Sequence, residues 1–189
     1  ALELADRGYT VLATMRNLED GRDLPDLSTG RIRLGQLDVT DPTAIEIPDD
    51  LTVLVNNAGA DDGHDPIEHV DLATWRHLFD VNVMGVLAVT QAAIPTLKRN
   101  SPGVIATITS SSIFGIVPFY TDMFRTSAGP MTAARFADYR VMAEHSTQSR
   151  IEHADPMVQP VETAAAAIAD AIADDDGPMR YGCDPLGNG

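Results

Sequence analysis

Apolar residues recur along this chain in two rhythms. Short runs rich in β-branched residues, "YTVLATM" (9–15), "LTVLV" (51–55) and "GVIATITS" (103–110), predict strands, and "RIRLGQLDV" (31–39) alternates apolar and polar positions before ending at Asp38. The unbroken apolar character of 51–55 is that of a strand covered on both faces of a parallel sheet. Longer helical periods lie between them. Asp71 predicts the N-cap of a helix over 72–99, with Leu72, Trp75, Leu78, Phe79, Asn82, Val83 and Val86 on one buried stripe. Pro95 is expected to kink or weaken its last turns. Residues 130–145 and 161–174 predict two further helices with a polar stretch between them. "ALELADRG" (1–8) reads as the back half of a helix closed by Gly8 at C′. Asp41 followed by Pro42 opens a short helix, and 16–30 reads as a polar loop with one helical turn. The order is an α/β alternation: one domain over 1–189, a doubly wound parallel sheet in three layers, α/β/α.

Composition narrows this picture only a little. The 189 residues can bury a sizeable core, and 13 basic against 28 acidic residues give a formal charge of −15, with Lys98 the only lysine. Such a chain should repel nucleic acid and anionic membranes. The single cysteine, Cys183, rules out an internal disulfide and fits a reducing compartment. No apolar run is expected to reach the length of a membrane span, and no signal peptide is recognised, so the expected setting is the cytoplasm.

In open parallel sheets ligands bind beyond the carboxyl ends of the strands. Polar residues punctuate four such ends here: Arg16, Asp38, the turn Asn56-Asn57-Ala58-Gly59, and Ser110. Ala58 and Gly59 leave the backbone open to a flat ligand, while the asparagine amides can tie neighbouring strand ends together. Arg16 can grip a phosphate in a bidentate pair or stand solvated, with no acidic residue competing before Glu19. Asn82, placed on an apolar stripe, needs polar partners to be tolerated there.

The runs "LDVTD" (37–41), "LVNNAG" (54–59), "NVMG" (82–85) and "GVIATITSSS" (103–112) resemble the short-chain dehydrogenase/reductase superfamily in order and spacing, from Ala1 to about Gly115. That resemblance implies a Rossmann-like domain and an oxidoreductase that passes a hydride between a nicotinamide cofactor and a carbonyl or secondary alcohol. It implies that the adenosine ribose lies over Asn56, Asn57, Ala58 and Gly59. Asp38, with Val39 beside it, would stand near the adenine ring, although Asp38 could instead cap the helix near Asp41. Arg16 in place of an acidic residue favours NADP over NAD. Asn82 would bond a water in a proton relay, or serve as a structural amide. The serine that polarises the substrate oxygen falls on Ser110 when counted from Gly103 and on Ser112 when counted from Gly115. "YTDMF" (120–124) makes Thr121 similar to the threonine that contacts the nicotinamide carboxamide.

Two expected parts do not occur in this sequence. None of the four tyrosines is followed four residues on by lysine; those positions are Ala13, Phe124, Ala143 and Pro185. The Gly-rich turn that cradles a pyrophosphate should precede residue 1, and about forty residues of the family pattern fall between Pro118 and Tyr120, so both are expected in a longer natural protein. Taken literally, the sequence also fits a catalytically inactive dinucleotide-binding regulatory or scaffold protein. An epimerase-like enzyme would need the same missing residues. Met123, Phe124, Met131 and Phe136 suit an apolar substrate and serve equally well as packing groups. Homo-oligomerisation through the long helices is implied by resemblance.

Overall fold

The computed structural model describes residues 1–61, 65–109, 132–154 and 160–176. Helix α1 (Leu2–Asp6) closes as expected. The Gly8 N–H donates to the Ala5 carbonyl and the Tyr9 N–H to the Leu4 carbonyl, both at 3.0 Å. Gly8 itself sits at φ +99°. This pair of reversed bonds satisfies the last helical carbonyls and needs a left-handed residue, which glycine supplies without strain. The chain then enters β1 (Val11–Met15), which pairs in parallel with β2 (Ile32–Gln36), Val11 opposite Ile32 and Met15 opposite Gln36. The intervening loop holds two helical turns where one was expected: a 3-10 turn Leu18–Gly21 and α2 (Leu24–Leu27). Buried Ser28 locks its exit, donating to the Pro25 carbonyl at 2.9 Å and accepting from the Ile32 N–H at 3.1 Å.

Past a 3-10 turn at Pro42–Ala44 comes β3 (Val53–Asn56), parallel to β4 (Val104–Thr107), Val53 opposite Val104 and Asn56 opposite Thr107. All four strands are shorter than the apolar runs that predicted them. Among the described residues they form two parallel ladders, β1 with β2 and β3 with β4, rather than one continuous sheet, because no described strand lies between β1 and β3.

The helix over 72–99 is continuous but not uniform. Asp71 caps α3 (Leu72–Phe79) by accepting the Ala73 N–H at 3.0 Å. A π-helical turn occupies Asp80–Gly85, and α4 (Val86–Arg99) follows, running through Pro95. The irregularity thus falls at 80–85, ahead of the expected proline. A π turn holds more residues than an α turn, so it rotates the helix phase. The buried stripe becomes Val81, Gly85, Val89, Ala93 and Leu97, and the predicted stripe is left largely outside: Leu72, Trp75, Phe79, Asn82 and Val83 are exposed. Unbroken from Leu72 to Arg99, this helix is long and apolar enough to cross a membrane by length and composition, which corrects the sequence expectation that no run reaches that length. Its C-terminal end is stitched to the segment that leads into β3, with the Asn100 amide donating to the carbonyls of Asp49 (2.8 Å) and Leu51 (3.0 Å).

The next helix begins later than predicted. Thr132–Arg135 is a 3-10 turn, and α5 (Arg140–Ala154) continues across the stretch read as a polar connection. Polarity does not end a helix when Glu, Gln and Arg supply it, because their straight side chains lose little freedom there. The last described helix, α6 (Val161–Ala173), packs on α1 and β4. It is tethered by Arg7, which pairs with Asp170 at 2.7 Å and donates to the Ala166 carbonyl at 3.3 Å.

Candidate functional site

Two turns stand at the carboxyl ends of the strands. After β2, Asp38 folds back on its own backbone. Its carboxylate accepts from the Thr40 N–H at 2.9 Å and from the Thr40 hydroxyl at 2.7 Å. These two bonds, with smaller electrostatic help from Arg16 and His77, hold the Asp38 carboxyl below its ordinary pKa. The alternative that Asp38 caps the turn at 42–44 is not what the structure shows: Asp41 performs that task, bonding Thr43 through both N–H and hydroxyl. Val39 between them is half-buried and faces the long helix at Gly85. At the end of β1, the Arg16 side chain is exposed and forms no ion pair among the described residues. Its carbonyl is fixed by the Gln36 amide at 3.1 Å.

The second turn, after β3, is organised from outside. Asn56 is buried, and its amide donates to the hydroxyls of Thr90 on α4 (3.0 Å) and Thr107 on β4 (3.4 Å). Of the two uses open to that amide, the structure shows the tie between neighbouring elements. Asn57, Ala58 and Gly59 are exposed. Asn82 is not buried on an apolar stripe as the helical period implied. The π turn presents it to the turn after β3, where its amide donates to the Ala60 carbonyl at 2.9 Å and its oxygen accepts the Ala60 N–H at 2.8 Å. A Cβ placed on Gly59 would meet only that Asn82 oxygen, at an ordinary 3.5 Å. Packing among the described residues therefore does not require glycine there.

Beside this turn the segment before α5 docks on residues 65–69. Arg135 pairs with Asp65, the Tyr139 hydroxyl donates to Glu68, and the Phe136 and His69 rings stack with centroids 4.0 Å apart and planes 6° off parallel. The Tyr139 hydroxyl bond lowers the Glu68 pKa, while the Glu68 carboxylate raises that of Tyr139. Phe136, one of the four apolar residues considered for substrate, is thus engaged with His69. Ser110, Ser112, Thr121, Met123, Phe124 and Met131 lie outside the described residues.

Sequence reasoning did not foresee Thr40, Ala60, Thr90, Thr107 or the approach of Gly85 to Val39. Only Thr40 carried a local signal, the Asp-x-Thr spacing of a side-chain-bonded turn, repeated at Asp41 and Thr43.

Parallel strands wrapped by helices, with open backbone, a cation and a locked carboxylate beyond the strand ends, define a Rossmann-like α/β protein. Residues 1–122 match the short chain dehydrogenase family, and the chain belongs to that family. It is 33% identical over 129 residues to sulfoacetaldehyde reductase 2 of Chromohalobacter salexigens, covering 63% of this chain and 51% of that protein. To the NADP-dependent 3-hydroxy acid dehydrogenase YdfG of Escherichia coli K12 it is 31% identical over 114 residues, covering 56% of this chain and 46% of the relative. The crystal structure of serine dehydrogenase from Escherichia coli superposes with a TM-score of 0.54 at 27% identity, covering 79% of this chain and 66% of that one. The chain spans about half the length of the curated relatives it matches.

Proposed function

We propose that this chain forms the cofactor-binding part of an NADP-dependent oxidoreductase acting on a small-molecule carbonyl or secondary alcohol. One observation carries the reading: beyond the ends of parallel strands in a chain of this family, Arg16 is exposed with no ion pair among the described residues, Asp38 is locked by Thr40, and the Asn57–Gly59 turn is exposed. The donor set fits the dinucleotide. Arg16 would hold the adenosine 2′-phosphate as a charge-assisted pair. Asp38 and Val39 would receive the adenine end, and Asn56, Asn57, Ala58 and Gly59 would form the ribose surface, with Asn56 acting from inside by fixing the strand ends. Bound NADP supplies the hydride chemistry, and the protein's contribution is orientation and proton handling.

On this reading Ser110 or Ser112 polarises the substrate oxygen, Thr121 meets the carboxamide, and Asn82 supports a water in the proton path. The Tyr-x-x-x-Lys acid/base pair of the family pattern does not occur in this sequence, in which Pro118, Phe119 and Tyr120 are contiguous. We place the enzyme in the cytoplasm as a homo-oligomer. The names of its relatives point the substrate search toward small polar aldehydes and 3-hydroxy acids, with apolar ketones as the contrasting class.

The test is spectrophotometric turnover by the full-length protein, with NADPH and NADH, over sulfoacetaldehyde, 3-hydroxy acids and apolar ketones. At least one substrate should turn over, about tenfold or more faster with NADPH than with NADH at equal cofactor. Tight NADPH binding without turnover on any substrate would leave an inactive dinucleotide-binding protein, and no binding at all would overturn both readings.

A further inference from the structure

The approach of Gly85 to Val39 joins the two halves of the candidate site. A Cβ built on Gly85 would lie 2.7 Å from Val39 Cγ2, 2.9 Å from Val39 Cβ and 3.2 Å from the Asp80 carbonyl oxygen. Carbon atoms in contact prefer about 3.5–4.0 Å, so the added methyl would drive Val39 outward by about 1 Å. Rotating the Val39 side chain cannot relieve this, because its Cβ is fixed to the backbone. The displacement must therefore pass to the main chain. There it meets a rigid unit: Asp38 is bonded twice to Thr40, and the Asp41 N–H donates to the Asp38 carbonyl at 3.0 Å. Val39 can move only by carrying Asp38 and Thr40 with it.

The same π-helical turn, Asp80–Gly85, holds the other half of the site through the reciprocal bonds between Asn82 and Ala60. Three residues along one helical turn thus separate the contact with the turn after β3 from the contact with the turn after β2. The two ladders share no described strand, so this helical turn is a physical bridge between them. We propose that Gly85 is a positioning residue for the adenine end of the cofactor: by lacking a side chain it seats Val39 on the helix and sets where the Asp38–Thr40 turn stands relative to the Asn57–Ala60 turn. This rests on the oxidoreductase reading above, since it presumes that the two turns hold one dinucleotide.

The experiment compares wild type, Gly85→Ala, Val39→Gly and the double variant by calorimetric titration with 2′,5′-ADP, which carries only the adenine end, and with NADPH, well below each variant's melting temperature. Gly85→Ala should weaken 2′,5′-ADP by about tenfold, roughly 1.4 kcal/mol, and NADPH by the same factor, because the nicotinamide end is untouched. Removing the whole side chain at position 39, the Cβ included, makes room for the new methyl, so the double variant should return to within about threefold of Val39→Gly alone. If Gly85→Ala does not fold, Val39→Ile crowds the same gap from the opposite side and should show the same paired loss. The proposal is overturned if Gly85→Ala binds 2′,5′-ADP like wild type, if NADPH loses far more than 2′,5′-ADP, or if the double variant is not restored. Failure of the wild type to bind either ligand would instead defeat the cofactor reading on which the proposal rests.

Discussion

The turns after β2 and β3 occupy equivalent places at the strand ends but are built in opposite ways. The first is self-contained: Asp38 is satisfied by Thr40, two residues on. The second borrows its order, with Asn56 reaching Thr90 and Thr107, and Ala60 held by Asn82, across 22 to 51 residues of sequence. A self-bonded turn keeps its shape wherever the chain carries it. A borrowed one exists only while helix and sheet are correctly docked. The turn after β3 therefore reports on the tertiary fold, and the turn after β2 reports on local sequence.

The largest expected effect breaks the borrowed turn. Asn82→Ala removes both bonds to Ala60 at an exposed position. On the proposed function, kcat/KM in full-length protein should fall by about 100-fold, equivalent to roughly 2.7 kcal/mol, with only a small change in Tm. Asn82→Asp keeps the acceptor for the Ala60 N–H and loses the donor, so it should fall between. Equal activity of all three proteins would show that the turn does not depend on the helix.

Asn56→Leu attacks the same turn from inside. It leaves the Thr90 and Thr107 hydroxyls without their amide and places an apolar group at a buried site. Thermal or urea unfolding should show a loss of about 1–3 kcal/mol. Adding Thr90→Val should recover part of it, since replacing both partners by apolar groups costs less than orphaning one. A double variant less stable than the sum of the two single changes would contradict this account.

Arg16→Glu leaves both turns intact and changes only the charge beyond β1. NADPH affinity should drop by about tenfold or more while NADH affinity stays level or rises, as read by fluorescence titration. A parallel loss of both cofactors would mean that Arg16 is structural.

The same contrast explains what could be read from the sequence. The β-branched runs at 9–15, 51–55 and 103–110 and the cap at Asp71 are periodic or local signals, and each marks a real element, the strands being shorter than their runs. The Gly8 closure was legible because a left-handed residue after a helix is almost a statement of residue type. Asn82 was legible as an amide needing partners but not as an exposed one. A straight 3.6-residue period cannot register a π turn that rotates the helix by part of a turn at 80–85. Nor could any pattern within 72–99 name Ala60, whose only qualification is where the turn after β3 brings its backbone. The match of Gly85 with Val39 is still less visible, because it consists of a missing side chain on one element and a close neighbour on another.

The smallest expected effect tests the self-contained turn, and its pH dependence gives it a clear signature. Asp38 has its pKa lowered chiefly by the Thr40 hydroxyl, then by the Thr40 N–H, and Asp41 is lowered in the same way by Thr43. A carboxyl whose folded-state pKa lies below its unfolded value contributes stability above the unfolded value, and that contribution disappears as pH falls through the folded one. Thr40→Val removes the leading cause, so the variant should melt slightly below wild type from pH 7 down to about 5, by at most about 2 °C. The two curves should then converge as pH falls through the lowered folded-state pKa of Asp38. Thr43→Val is the matched control, with the same local geometry away from Val39, and should reproduce the thermal effect. The two differ in one respect that matters for the site. Thr40 belongs to the unit seated on Gly85, so Thr40→Val should also weaken NADPH by about threefold, whereas Thr43→Val should leave it unchanged. Equal cofactor loss in both variants would mean that the turn after β2 is rigid only as a whole, and that its contact with the long helix confers no special place on Asp38.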